Sequence, residues 1–311
     1  MSKVTIVGAG NVGATVANVL AHKDIAEDIF LLDIQGDLAR GKALDSWQQA
    51  PVDHYSTRLT GTDDYAETAG SDVVVITAGI PRKPGMSRDD LISTNAKIVT
   101  SVTRSVLEYS PDTIIIVVSN PLDVMTYAAY KASGLPKERV FGMAGILDTA
   151  RYRAFLSTEL KVSPKDIQAV LMGGHGDTMV PLPRYTTVAG IPVLEMIDPQ
   201  RLDEIVERTK KGGGELVKLM GTSAWYAPGA AAAQMVGACL RDENRIFPCC
   251  ALLEGEYGLN DIFLGVPVQL GRNGIKRIME LKLNEEEKTL LKTSAGHVRS
   301  VIEVFNQMNL I

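Results

Sequence analysis

Apolar residues along this chain follow two patterns, and the change falls near residue 150. Before it, residues 3–7, 28–33, 73–78 and 114–119 are short runs rich in Val and Ile, bounded by Gly, Asp or Pro. Ile114-Ile115-Ile116-Val117-Val118 has no polar position at all. A strand apolar on both faces needs cover on both sides, which is the setting of a parallel sheet between helical layers. Residues 12–22, 36–49 and 92–109 carry helix-like spacing between those runs, and right-handed crossovers assemble the alternation into βαβ units. The predicted fold class is α/β, with a mainly parallel sheet in residues 1–145 and a mixed α+β domain in residues 146–311.

The second domain reads differently. Ser163-Pro164-Lys165-Asp166 suits a single helical turn before a strand at 167–172. Strand-like runs return at 179–187, 247–253 and 262–270, the last two spaced for antiparallel pairing. Residues 199–220 are helical by pattern, yet Gly212-Gly213-Gly214 sets roughly 2–3 kcal/mol of helix preference against it. A bend or break is predicted there, with another segment approaching closely. Asn284-Glu285-Glu286-Glu287 caps a closing helix whose apolar stripe is Leu290, Leu291, Ala295, Val298, Val301, Ile302 and Phe305. No repeat or low-complexity linker separates the halves, so the two domains are expected to pack tightly.

Composition narrows the class. With 45% hydrophobic and 22% charged residues the chain is globular, and its net charge of -5 supplies no basic excess for nucleic acid. A few arginines gathered locally still suit a small anion. No run approaches about 18 apolar residues, and Met1-Ser2-Lys3 leads into a strand rather than a signal sequence, so neither a membrane span nor secretion is expected. Cys239, Cys249 and Cys250 match no disulfide or zinc spacing; they read as buried thiols in a reducing compartment, the cytoplasm.

Gly8-Ala9-Gly10-Asn11-Val12-Gly13 is a GxGxxG sequence with a strand before it and a helix after it. That context turns a common turn motif into a dinucleotide-binding one: Gly8 for the turn, Gly10 for approach of a pyrophosphate, Gly13 for helix–strand packing. Asp33 ends the next strand, twenty residues after Gly13. A carboxylate there accepts both ribose hydroxyls and repels a 2′-phosphate, favouring NAD over NADP; its bland alternative is a helix cap. Thr77-Ala78-Gly79 closes one strand with small residues and Asn120-Pro121 ends another, both at the edge where such sheets bind ligands.

Among four histidines, His22, His54 and His297 read as packing or surface residues. His175, in Gly173-Gly174-His175-Gly176-Asp177, leaves a strand through flexible backbone and is the acid/base candidate. Asp148 and Asp177 compete to orient its ring. Arg151 falls three residues after Asp148, on the same helical side. The Pro/Gly-rich loop Pro81-Arg82-Lys83-Pro84-Gly85-Met86-Ser87-Arg88 brings two more guanidinium groups, which capture carboxylates in bidentate fashion. Each arginine alone would be an ordinary surface charge; together with His175 they describe a site for a polyanion.

These motifs, collinear over nearly the whole chain, closely resemble the lactate/malate dehydrogenase family, nearest its lactate-dehydrogenase-like bacterial and archaeal malate-specific members. The resemblance implies a Rossmann dinucleotide-binding domain followed by a substrate domain. It implies NAD held by Gly8, Gly10, Asn11, Val12, Gly13, Asp33, Thr77, Ala78, Gly79, Asn95, Val118, Asn120 and Pro228. His175 would exchange the proton, with Asp148 orienting it. Arg151 would bind the first carboxylate, Arg88 polarise the keto oxygen, Asn120 order the complex and Ala224 lie near the substrate. Family members with arginine at the position of Arg82 act on malate, and those with glutamine on lactate. The implied reaction converts (S)-malate and NAD to oxaloacetate without a metal, in a homo-oligomer that is a tetramer or a dimer. A lactate or broad 2-hydroxyacid dehydrogenase is the enzymatic alternative, and a non-catalytic NAD-binding module the other.

Overall fold

The computed structural model describes residues 2–81, 85–308 and 310. Six strands, β1 (Lys3–Val7), β2 (Asp28–Leu32), β3 (Arg58–Thr62), β4 (Val73–Ile76), β5 (Ile114–Val117) and β6 (Val140–Gly142), form a parallel sheet in the order 3-2-1-4-5-6. Every residue of β4 and β5 is buried, as their unbroken apolar runs require. Helices α1 (Asn11–His22), α2 (Gly36–Gln48), α3 (Ala50–Asp53), α4 (Arg88–Tyr109) and α5 (Leu122–Ser133) connect them. The strand order reverses direction between β1 and β4, where an open sheet of this kind binds its ligand.

After α6 (Gly145–Leu160), the predicted 167–172 strand divides into β7 (Ile167–Gln168) and β8 (Leu171–Met172). Its partner run divides likewise into β9 (Val180–Pro181) and β10 (Thr187–Val188), and β10 also pairs with β11 (Ile191–Pro192). Pro181 and Pro183 withhold ladder donors from the returning chain, which explains the interruption. Residues 163–166 form a single hydrogen-bonded turn, Asp166 N–H to the Ser163 carbonyl at 3.1 Å, before β7.

Helix α7 (Pro199–Met220) corrects another expectation: it runs through all three glycines without a break. Arg208 and Glu215 bridge the glycine run with paired hydrogen bonds of 3.0 and 2.7 Å, and Gly212 is buried against Arg151. Tertiary packing outweighs the intrinsic preference. The predicted close approach is present.

Helix α8 (Tyr226–Leu240) packs across α1 so closely that a Cβ on Gly229 would fall 2.5 Å from Thr15. Strands β12 (Arg245–Glu254) and β13 (Asn260–Gly271) pair antiparallel, as expected, and β14 (Gly274–Ile278) follows. They do not make a separate sheet. Cys250 pairs with Gly142, so all three extend the parallel sheet to nine strands. The closing helix α9 (Glu285–Gln307) begins at the predicted Asn284–Glu287 capping box, and its stripe is buried except Leu290, which is 46% exposed. One large core spans the nine-stranded sheet, and a smaller one gathers Tyr152, Leu156, Ile167, Leu202 and Ile205 beneath α6 and α7. Among the described residues no helix is long and apolar enough to cross a membrane.

The sheet fixes the histidine loop through β13. Gly173 and Gly265 exchange backbone hydrogen bonds of 2.8 and 3.1 Å, and a Cβ on Gly265 would meet the Gly173 carbonyl at 2.4 Å. Replacing Gly265 with Ala is expected to cost about 1–3 kcal/mol in urea unfolding and to lower turnover through displacement of the loop. A variant matching the parent in both measurements would remove this contact as the loop's anchor.

Candidate active site

Gly8 and Gly13 take the places in the turn that the sequence predicted, and Gly10 faces open space. Gly8 takes φ +112°, and a Cβ on Gly13 would lie 1.9 Å from the Gly8 carbonyl oxygen. A Cβ on Gly10 would have nothing within 4 Å, and α1 starts there without a side-chain cap, at the exposed Asn11. Uncapped amides beside open space suit a pyrophosphate. Asp33 Oδ2 accepts from the Ala9 N–H at 2.6 Å and Oδ1 from the Gln35 N–H at 2.9 Å. The carboxylate therefore stands between the glycine loop and the start of α2, serving as a local cap at the edge where a ribose would lie.

Thr77, at the end of β4, donates its hydroxyl to the Gly8 carbonyl at 3.1 Å, and Ser119 donates to the Ala78 carbonyl at 2.6 Å. Asn95 is buried beside Gly79. Its Oδ1 accepts from the Ile80 N–H at 2.8 Å, while Nδ2 donates to the carbonyls of Ile80 at 3.1 Å and Asn120 at 2.7 Å. The amide thus ties together the loops leaving β4 and β5. The Asn120-Pro121 peptide is cis.

His175, in the loop that follows β8, lines the cleft with 18% of its side chain exposed. Its Nδ1 lies 2.9 Å from Asp148 Oδ2, and Asp148 Oδ1 accepts from Arg151 Nη1 at 3.3 Å. Asp148 is therefore the ring's partner, and Asp177 is exposed instead. Burial pulls the His175 pKa down, but the charge and hydrogen bond of Asp148, aided by Asp123, carry it above the usual value. A carboxylate on the far ring nitrogen fixes the tautomer and stabilises the imidazolium.

Two cavities meet at this histidine. The inner one, about 330 Å³, is lined by Val12, Val118, Arg151, Gly213, Ala224 and Pro228. The outer one, about 610 Å³, is lined by Arg88, Leu91, Asp123, His297 and Ser300. Asn120, His175, Gly176 and Asp177 form the wall common to both. Arg88, the first residue of α4 behind a Ser87–Asp90 capping box, faces the outer cavity, whereas Arg151 faces the inner one. His297 is exposed as expected, yet it lines the same cleft, so His175 is not its sole histidine. Arg82 lies outside the described residues. Asp123 has no signal in the sequence: its Oδ2 accepts from the His175 backbone N–H at 3.1 Å, a contact across 52 positions.

Residues 2–142 match the NAD-binding domain of the lactate/malate dehydrogenase family, and residues 146–308 its alpha/beta C-terminal domain. The chain belongs to this family. A malate dehydrogenase of Cytophaga hutchinsonii is 65% identical over 98% of each chain. The solved malate dehydrogenase of Salinibacter ruber shares 57% identity and a TM-score of 0.95, covering 99% of this chain and 98% of that one. A lactate dehydrogenase of Cryptosporidium parvum, solved with lactic acid and NAD, aligns at TM-score 0.94 and 38% identity over 98% of each. The cofactor of this family is NAD, and the open glycine loop with Asp33 fits it.

Arg151, hydrogen-bonded to Asp148 beside the histidine, is packed against α7. A Cβ on Gly212 would lie 3.3 Å from Arg151 Cδ, and one on Gly213 3.9 Å from Nη1. Gly212 and Gly213 of α7 are therefore the floor under Arg151. Replacing Gly212 with Val should leave the helix intact by circular dichroism while lowering kcat/KM for keto-acid reduction by about 10–100-fold. Unaltered kinetics would show that Arg151 tolerates a new position.

Proposed function

We propose that this chain is an NAD-dependent malate dehydrogenase interconverting (S)-malate and oxaloacetate. The observation carrying this reading is the linked His175–Asp148–Arg151 arrangement, at 2.9 and 3.3 Å, in a cavity bordered by the dinucleotide loop's helix. NAD, held by the glycine loop and Asp33, would supply a hydride acceptor for the malate carbinol carbon and, in its reduced form, a hydride donor for the oxaloacetate carbonyl carbon. In reduction, protonated His175 gives its Nε2 proton to the keto oxygen, and in oxidation the neutral ring takes that proton back. Asp148 keeps Nδ1–H pointed away from the substrate and stabilises the imidazolium. Arg151 pairs with the carboxylate beside the reacting carbon, Arg88 polarises the keto oxygen, and Asn120, held by Asn95, orders the reacting groups. Arg82 pairs with the second carboxylate, which malate has and lactate lacks.

In this reading residues 1–145 carry the cofactor and residues 146–311 the substrate. Exposed Leu44, Trp47, Val52, Leu219 and Tyr226 favour self-association, as a tetramer or a dimer. The free buried cysteines suit a reducing cytoplasm.

Proton transfer gives the reaction a defined pH dependence. Reduction requires His175 protonated, so its kcat/KM should be level below the histidine's pKa and fall above it, while malate oxidation does the reverse. Because the pKa is raised, both breaks should lie above the ordinary imidazole value of about 6.5. His175→Asn should remove the break and reduce turnover by about 10²–10⁴-fold, with NADH fluorescence showing the cofactor still bound. Breaks below the ordinary value would contradict the arrangement.

Substrate choice is tested at Arg82. Arg82→Gln should lower the ratio of kcat/KM for oxaloacetate to that for pyruvate by about 30-fold to several-thousand-fold, the loss of a desolvated charge pair. An unchanged ratio would return the side chain to solvent and reopen the choice between malate and lactate.

A further inference from the structure

The reading above uses one buried carboxylate, Asp148, and the site contains a second. Asp123 is the second residue of α5 and only 8% exposed. Its Oδ2 accepts from the His175 backbone N–H at 3.1 Å, and its Oδ1 meets Cys250 Sγ at 3.3 Å. A Cβ on Gly174 would lie 3.3 Å from the same Oδ2, so the carboxylate also abuts the peptide before the histidine.

The partners are a peptide N–H and a thiol, neither of them a cation. A helix start favours an acid, and that alone accounts for an exposed Asp. It does not account for a charge withdrawn from water, because an asparagine would accept the same N–H at far lower desolvation cost. The nearby positive charge that can compensate is the imidazolium.

We propose that Asp123 is a second positioning residue for His175, clamping its peptide and using its negative charge to hold the imidazole in the proton-loaded form. The histidine is then gripped twice, at its ring by Asp148 and at its backbone by Asp123. Other charged or titratable groups around it are Arg151 from α6, Cys250 from β12, Arg88 from α4, His297 from α9 and Asp177 in its own loop. The electrostatics agree with the geometry. Burial pushes the Asp123 carboxyl up to about 6, while the Cys250 hydrogen bond and the charge on His175 pull against that rise. Reciprocally, the Asp123 charge raises the pKa of His175. Protonation of the ring and ionisation of this carboxyl therefore favour each other.

This inference rests on His175 being the acid/base, and its test separates the two claims. Asp123→Asn keeps an oxygen for the His175 N–H and removes the charge. Both the fall in oxaloacetate reduction and the rise in malate oxidation should then move to lower pH by about half a unit to one unit. An acid that served only the helix start would change the height of these profiles and leave their breaks in place. Unmoved breaks overturn the proposal.

If Asp123→Asn fails to bind NADH, Cys250→Ala decides. Loss of the thiol donor drives Asp123 toward its neutral form, so the same breaks should shift in the same direction, and breaks that stay put overturn the proposal. A break that persists in His175→Asn belongs to another group, which removes the acid/base reading and this proposal with it.

Discussion

The β6–β12 junction rests on a single antiparallel pairing, Cys250 with Gly142, and most of the active-site geometry depends on it. Gly142 has no room for a side chain: a Cβ there would lie 2.5 Å from Thr126 Oγ1 on α5 and 3.1 Å from Cys250 Cβ. The missing side chain lets α5 and β12 close on the sheet together. The antiparallel strands β12, β13 and β14 join the parallel sheet through that contact. β13 follows β12, Gly265 on β13 holds Gly173, and the loop so anchored carries His175 toward Asp148. Cys250 itself reaches Asp123 on α5. The loop that carries His175 is thus placed by backbone pairing, which tolerates far less slack than side-chain packing.

Features whose signal is local were legible in the chain. Short apolar runs marked β1, β2, β4 and β5 to within two residues, most plainly in β4 and β5, where burial on both faces leaves no polar position. The glycine loop, Asp33 and the Asn284 cap were equally plain, since each is a short motif with its own stereochemistry. Strand β3 was missed because its Arg-Leu-Thr-Gly-Thr sequence is that of a half-exposed edge, and β6 because three residues carry no period. The alanine-rich α8 has hardly any polar face to reveal it, as both α1 and the sheet cover it.

Residues whose roles arise only by long-range contact could not be read in the same way. The sequence points to Asn95 only through the family resemblance, as a cofactor contact, and to Asp123 not at all; neither flanking sequence hints at a carbonyl 25 positions away or a peptide N–H 52 away. The glycine run of α7 was misjudged for a related reason. Three glycines in isolation argue against a helix, but the first two pack on Arg151, from a segment about sixty residues earlier, and that packing outweighs the local preference.

Asp33 shows how far the fold prepares its ligand site. Both carboxylate oxygens already accept backbone N–H groups, at 2.6 and 2.9 Å, so the side chain has lost its rotational freedom during folding. Each oxygen keeps a second lone pair for a hydroxyl. A dinucleotide bound as proposed would meet a stationary acceptor, with the entropy of ordering that acid already spent in folding rather than in association.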